Sequence, residues 1–145
     1  MSNNHSVSIV RTFEAPAEDV YAAWTDPDRL GTWVGQVERA DVRVGGSYRF
    51  VNDDGEGGTF VHEGRYLELI ADRKIVMTFG AAQIAPQDNP YTNETITIQL
   101  RPLDANRTEL TFTNAWEGEA MDDEGIEATR QGWTAWLDLL AEALA

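Results

Sequence analysis

Apolar and polar residues alternate along much of the chain, a pattern typical of β-strands with one buried face. The alternation is clearest in TFVHEGRYLEL, residues 59–69. Phe60, His62 and Tyr66 fall on one face of this predicted strand, whereas Glu63 and Arg65 fall on the other. Because the charged pair belongs in solvent, we predict that His62 and its neighbours point inward.

The same parity test predicts further strands, beginning with Val7–Phe13. Short turns near Asp72 and Asn106 separate several of them, so we expect an antiparallel meander. The segment 80–92 is the only connection long enough to be a mobile loop. The predicted inward residues of these strands are Tyr48, Phe50, Ile75, Met77, Phe79, Ile96, Ile98, Leu100, Leu110, Phe112 and Asn114.

Two helix-start signals follow the first strand. Pro16 suits the first position of a helix, and Asp26 caps a second helix that is expected to end near Gly31. Trp24 then ends the first helix and Trp33 follows the second, so the two helices meet at a bend.

The last segment changes to a helical period from about Asp123 onward. We expect Trp133 and Leu137 on this long helix to be buried against the sheet. Gly64, on the inward face of its strand, would allow the helix to approach closely.

Length and charge restrict the function classes. The 145 residues suit a single domain over 1–145, and there is no cysteine for a disulfide or a thiolate site. The formal charge of -14 repels phosphate groups, so we expect neither nucleic acid nor an anionic membrane as a partner. No signal peptide or membrane span is recognisable, and we predict a cytoplasmic protein.

The usual motifs of metal and nucleotide sites are missing. His62 begins HEGRY, which lacks the second histidine of a zinc-protease helix, and His5 falls in a tail that we expect to fray. NDDGEGGTFVHE, residues 52–63, has the oxygen spacing of a calcium loop, but predicted strands flank it, which favours a hairpin turn. We therefore predict no metal site and no cofactor.

The chain resembles the Hsp90-ATPase-activator-homologue-like group of the START/Bet v 1-like superfamily. The matching segments, in the family's order, are FEAPAEDVYAAWTDPDRLGTWVG, DVRVGGSYRF, GRYLELIADRKIVMTF, TELTFTNAW and RQGWTAWLDLLAEAL. The resemblance implies the helix-grip fold, an α+β architecture. In it, a curved antiparallel sheet of about six to seven strands wraps around a long C-terminal helix, and two short helices follow the first strand. The co-chaperone that names the group carries a separate Hsp90-binding domain; we expect a stand-alone member here.

The resemblance also implies a cavity between the sheet and the long helix. It places Trp33 near the cavity mouth and Trp24 in the core. Parity supplies one inward histidine and no inward carboxylate, which favours a non-catalytic role over catalysis. That role is the binding of a small apolar ligand or that of a stress-related accessory domain. The alternatives are an enzyme of the polyketide cyclase/dehydratase type and a protein–protein module that assists an Hsp90-type chaperone. The protein is expected to be a monomer or a homodimer. The predicted cavity residues are Trp33, Tyr48, Phe50, Phe60, His62, Tyr66, Met77, Phe79, Asn114 and Trp133.

Overall fold

The computed structural model describes residues 4–53, 59–81 and 91–144. No helix in these ranges is long and apolar enough to cross a membrane. The elements in chain order are β1 (Asn4–Phe13), α1 (Ala17–Thr25), α2 (Pro27–Leu30), β2 (Gln36–Ala40), β3 (Ser47–Asp53), β4 (Thr59–Ile70), β5 (Lys74–Thr78), β6 (Gly80–Ala81), β7 (Tyr91–Asp104), β8 (Arg107–Gly118) and α3 (Asp123–Leu144).

The strands form one antiparallel sheet in the order β1-β8-β7-β5-β4-β3-β2, and the short β6 pairs with β4 beside this path. The inward face of the sheet and the apolar side of α3 share one hydrophobic core, in which Leu137 and Leu140 of the helix are fully buried. This is the predicted helix-grip architecture: a curved antiparallel sheet of seven main strands, one long C-terminal helix and two short helices after β1.

The bend between α1 and α2 forms as its sequence predicts. The side chain of Asp26 accepts a hydrogen bond from the backbone N–H of Asp28 at 3.0 Å, and Pro27 is the first residue of α2. The first helix begins one residue later than predicted, because Pro16 is its N-cap and Ala17 its first residue. The bend brings Trp24 inward, and this side chain is in the core as predicted.

Two details differ from the sequence-based prediction. His5 does not fray: β1 pairs with β8 along its whole length, and His5 Nε2 lies 3.1 Å from the carbonyl oxygen of Gly118. Gly64 does not make room for the helix. A Cβ added to Gly64 would lie 2.2 Å from the carbonyl oxygen of Thr78, so the glycine allows the close approach of β5.

Strands β3 and β4 are antiparallel neighbours, with Asp53 opposite Thr59, as expected of the predicted hairpin. Residues 54–58 at its tip lie outside the described residues, as does most of the predicted loop, residues 82–90.

Candidate functional site

A cavity of about 290 Å³ opens between the sheet and α3. Strands β4, β7 and β8 supply one wall and the helix supplies another, while Phe79 joins them from the link between β5 and β6. The lining residues are His62, Phe79, Glu94, Asn114, Met121, Thr129, Gly132, Trp133 and Trp136.

Four of these residues were among those predicted for the cavity, three from strand parity and Trp133 from the helical segment. His62, Phe79, Asn114 and Trp133 were predicted for the cavity and all four line it. Trp133 is only half-buried, because one side of its ring faces the cavity while the other packs on Phe112 of β8, with ring centroids 4.7 Å apart. The predicted burial of Leu137 is complete.

Another group of predicted residues belongs to the filled core instead. Tyr48, Phe50, Tyr66 and Met77 are all buried and do not line this cavity. The ring of Tyr48 lies 4.8 Å from that of Phe50 and 5.5 Å from that of Tyr66, and its hydroxyl donates to the Thr78 carbonyl at 2.6 Å. These side chains point inward as predicted, but they pack against one another in the core instead of lining the cavity. The side chain of Phe60 lies outside the described residues.

The prediction for Trp33 is wrong. Its side chain is 5 % exposed, its Nε1 donates to the carbonyl oxygen of Ala23 at 2.9 Å, and its ring meets Trp24 edge to face at 4.6 Å. Trp136 of α3 contacts Trp33 at 6.1 Å and lines the cavity itself. The signal for Trp136 was present in the sequence: it follows Trp133 by three residues and therefore shares its helix face.

A string of hydrogen bonds crosses one wall of the cavity. Trp133 Nε1 donates to Asn114 Oδ1 at 3.1 Å, and Asn114 Nδ2 donates to Glu94 Oε2 at 2.9 Å and to the carbonyl oxygen of Thr95 at 3.2 Å. Asn114 is 2 % exposed, so this buried amide is held from three sides. The string ties α3 to the sheet and fixes the position of the carboxylate.

Glu94 corrects the prediction that the inward face lacks a carboxylate. Burial raises the pKa of Glu94, and the hydrogen bond from Asn114 lowers it by a smaller amount. Glu94 has the same parity as Ile96, but a bulge between Thr92 and Thr95 interrupts the pairing with β8, and Asn93 has a φ of 50°. The sequence analysis took Ile96 as the first inward residue of this strand and therefore did not count Glu94.

His62 lies against two aromatic rings of the cavity. Its imidazole stacks on Phe79 at 4.7 Å and meets Trp136 edge to face at 5.4 Å. Burial lowers the pKa of His62 to about 4, so the ring is neutral at pH 7.

The chemistry available in the cavity is that of one neutral imidazole, one carboxyl group and several aromatic faces. Among the described residues, no group of three or more His, Cys, Asp or Glu side chains could hold a metal ion. The lining is mainly apolar with a few fixed polar groups, which is the usual composition of small-molecule sites.

Sequence comparison defines the family. The profile described as Activator of Hsp90 ATPase homolog 1-like protein matches residues 14–145. The chain belongs to this family. It is also 34% identical over 77 residues to an uncharacterized protein of Schizosaccharomyces pombe, a match that spans 53% of the chain but only 21% of that relative's length.

Solved structures share the fold over almost the whole chain. A crystal structure of a protein from Chromobacterium violaceum is 28% identical, with a TM-score of 0.80 and coverage of 96% of both chains. A protein of unknown function from Staphylococcus aureus is 24% identical, also with a TM-score of 0.80, and the match covers 99% of this chain and 94% of the other. Both confirm the helix-grip fold that the family resemblance implies.

Proposed function

We propose that this protein binds a small, largely apolar molecule in the cavity between the sheet and α3. The observation that carries the proposal is the cavity itself: about 290 Å³, walled by Phe79, Trp133 and Trp136, and close to the lower end of the size range of small-molecule sites. A ligand that covers these ring faces removes apolar surface from water, which favours binding by about 25 cal/mol per Å² before the costs of association are subtracted.

Glu94 and His62 are the polar groups that would orient the ligand. Asn114 is occupied, because both hydrogens of its amide nitrogen have acceptors and its oxygen accepts from Trp133. Glu94 accepts one hydrogen bond from Asn114, whereas a carboxylate offers about four acceptor positions. A ligand of this site is therefore expected to carry one polar group that meets Glu94, on an otherwise apolar body.

Native mass spectrometry of freshly purified protein tests the proposal. We expect a second set of peaks, heavier than the apoprotein by the mass of a small molecule, that disappears after unfolding, extraction with organic solvent and refolding. Adding the extract back should restore the heavier peaks. Added back to a chain whose cavity is filled by Gly132→Leu, the extract should have no effect. Binding that is equal in the filled variant would show that the molecule lies elsewhere.

Catalysis is the second candidate function, favoured by Glu94. A carboxyl group whose pKa is raised by burial can act as a general acid or base, and the neutral imidazole of His62 lines the same cavity. If the bound molecule is converted, Glu94→Gln should lower the rate by about 10²–10⁴. If it is only bound, mass spectrometry of the molecule before and after incubation should show no change in either protein.

A further inference from the structure

The aromatic side chains of the cavity form a closed circuit of four rings. His62 contacts Phe79 at 4.7 Å, Phe79 contacts Trp133 at 5.1 Å, Trp133 contacts Trp136 at 5.4 Å, and Trp136 returns to His62 at 5.4 Å. Three of these four contacts are edge to face, with interplanar angles of 66°, 80° and 87°. All four side chains line the cavity, and the steep angles between them mean that the lining offers both ring edges and ring faces to a bound group.

The charge of the lining has one sign. Among the described residues that line the cavity, Glu94 is the only acidic side chain and none is a lysine or an arginine. Glu94 accepts a hydrogen bond from Asn114, and no described side chain forms an ion pair with it. His62 stays neutral at pH 7, since burial lowers its pKa to about 4. The part of the lining that the structure describes thus holds a carboxyl group without a cation beside it.

Aromatic faces and an unpaired carboxylate favour the same kind of ligand. A cation over the face of Trp, Tyr or Phe is attracted by the negative electrostatic potential of the ring, most strongly where water is excluded. A carboxylate that lines the same cavity adds charge attraction and accepts hydrogen bonds from an ammonium group. The field of a chain with a formal charge of -14 acts in the same direction and opposes anions.

We infer that the ligand is an apolar molecule with an ammonium group, bound with its cationic head between Glu94 and the circuit formed by His62, Phe79, Trp133 and Trp136. This inference rests on the proposed function, and it adds the charge of the ligand to it. The apolar body of the ligand would lie along the remaining lining toward Met121 and Thr129.

The test uses three small probes of similar shape and different charge: phenethylamine as the cation, phenethyl alcohol as the neutral analogue and phenylacetate as the anion. Binding at pH 7 is followed by NMR titration of the indole N–H signals of the five tryptophans. We expect the amine to bind about tenfold more tightly than the alcohol, a difference of about 1.4 kcal/mol, and the acid to bind most weakly.

Two variants separate charge from shape. Glu94→Gln keeps the volume of the side chain and should remove the preference for the amine while binding of the alcohol changes little. Phe79→Leu keeps an apolar wall but removes one π face, and it should weaken the amine more than the alcohol. Glu127→Gln is the control, because it removes the same charge from an exposed position of α3 that does not line the cavity.

Three outcomes would overturn the inference. If the alcohol or the acid binds to the wild-type protein at least as tightly as the amine, the ligand is not a cation, although the cavity still binds small molecules. If the amine preference persists in both Glu94→Gln and Phe79→Leu, the cation binds elsewhere. If no probe shifts any indole signal, the proposed binding function fails together with the inference.

Discussion

Trp133 on the long helix and Asn114 on the last strand are joined by a hydrogen bond from the indole Nε1 to the amide Oδ1, 3.1 Å long. Both side chains line the cavity, and Asn114 Nδ2 donates a hydrogen bond to Glu94 Oε2 at 2.9 Å. One asparagine therefore holds the helix against the sheet and positions a carboxylate at the cavity. The packing of α3 on the sheet and the chemistry of the cavity depend on the same side chain.

Asn114→Leu should lower the free energy of unfolding. The replacement keeps a side chain of similar volume but leaves Trp133 Nε1 and Glu94 without their buried partner, which typically costs about 1–3 kcal/mol for each group. Chemical denaturation monitored by circular dichroism measures the change. Thr113→Val on the opposite face of β8 is the control, since its hydroxyl bonds only to Ser8 in an exposed pair, at 3.0 Å. Equal losses in the two variants would mean that the buried string contributes nothing to stability.

Two glycines should respond to alanine in opposite directions. Gly64→Ala places a Cβ 2.2 Å from the backbone oxygen of Thr78, so we expect it to push β5 away and to destabilise the protein by about 1–3 kcal/mol. Gly132→Ala in α3 meets no atom within 4 Å and should stabilise the helix by about 0.5–1 kcal/mol. Thermal unfolding of both variants beside the wild type decides this. Destabilisation by Gly132→Ala would contradict the open space found beside that residue.

Trp33→Phe should affect stability and leave ligand binding intact. It removes the hydrogen bond to Ala23 and part of a buried ring, for an expected loss of about 1–3 kcal/mol. The change in tryptophan fluorescence on adding a neutral apolar probe should persist in this variant and should shrink in Trp136→Phe, because Trp136 lines the cavity. The reverse pattern, with an unchanged melting temperature for Trp33→Phe, would place Trp33 at the cavity wall.

His62 should make the folded state less stable in acid. Its pKa is about 4 in the folded protein, against about 6.5 in an unfolded chain. Between these values the unfolded state binds more protons, so the contribution of His62 is complete above pH about 6.5 and is lost as the pH falls toward 4. The slope attributable to this group is at most about 1.4 kcal/mol per pH unit.

The measurement compares the free energy of unfolding of wild type and His62→Gln between pH 7 and pH 4. Glu94 lines the same cavity and its pKa is raised, so its own contribution to stability falls as the pH rises, opposite in sign to that of His62. Both proteins contain Glu94, and the difference between their curves isolates the histidine. His5→Gln, outside the cavity, is the control. Parallel curves for wild type and His62→Gln would show that His62 is not held in its neutral form.

Local patterns in the sequence predicted the individual strands and helices, and the family resemblance supplied their arrangement. Strand parity gave the inward faces of the strands that carry His62 and Asn114, and the change to a helical period located the start of α3 at Asp123. The aspartate–proline pair at Asp26 gave the bend between α1 and α2. These features depend on residues close together in the chain, where backbone geometry fixes side-chain direction.

The cavity could be predicted only in part, because its position depends on contacts distant in sequence. Parity shows that Tyr48 and His62 both point inward, but not that Tyr48 packs on Phe50 and Tyr66 while His62 borders open space. Trp33 is covered because Trp24 and Trp136 pack on it from two different helices. Glu94 shares the parity of Ile96 but was missed, because Ile96 was taken as the first inward residue of its strand and the register of β7 against β8 shifts between Thr92 and Thr95.

Filling the cavity from the helix side tests the central claim most directly. Gly132 lines the cavity and a Cβ there meets no atom within 4 Å, so Gly132→Leu should occupy the space without disturbing the fold. Ala135→Leu adds an apolar side chain at a nearby exposed position of α3 that does not line the cavity. Titration with a neutral apolar fluorescent probe should give saturable binding to the wild type and Ala135→Leu, and binding to Gly132→Leu should be at least about tenfold weaker. Equal probe affinity in all three proteins would contradict the account.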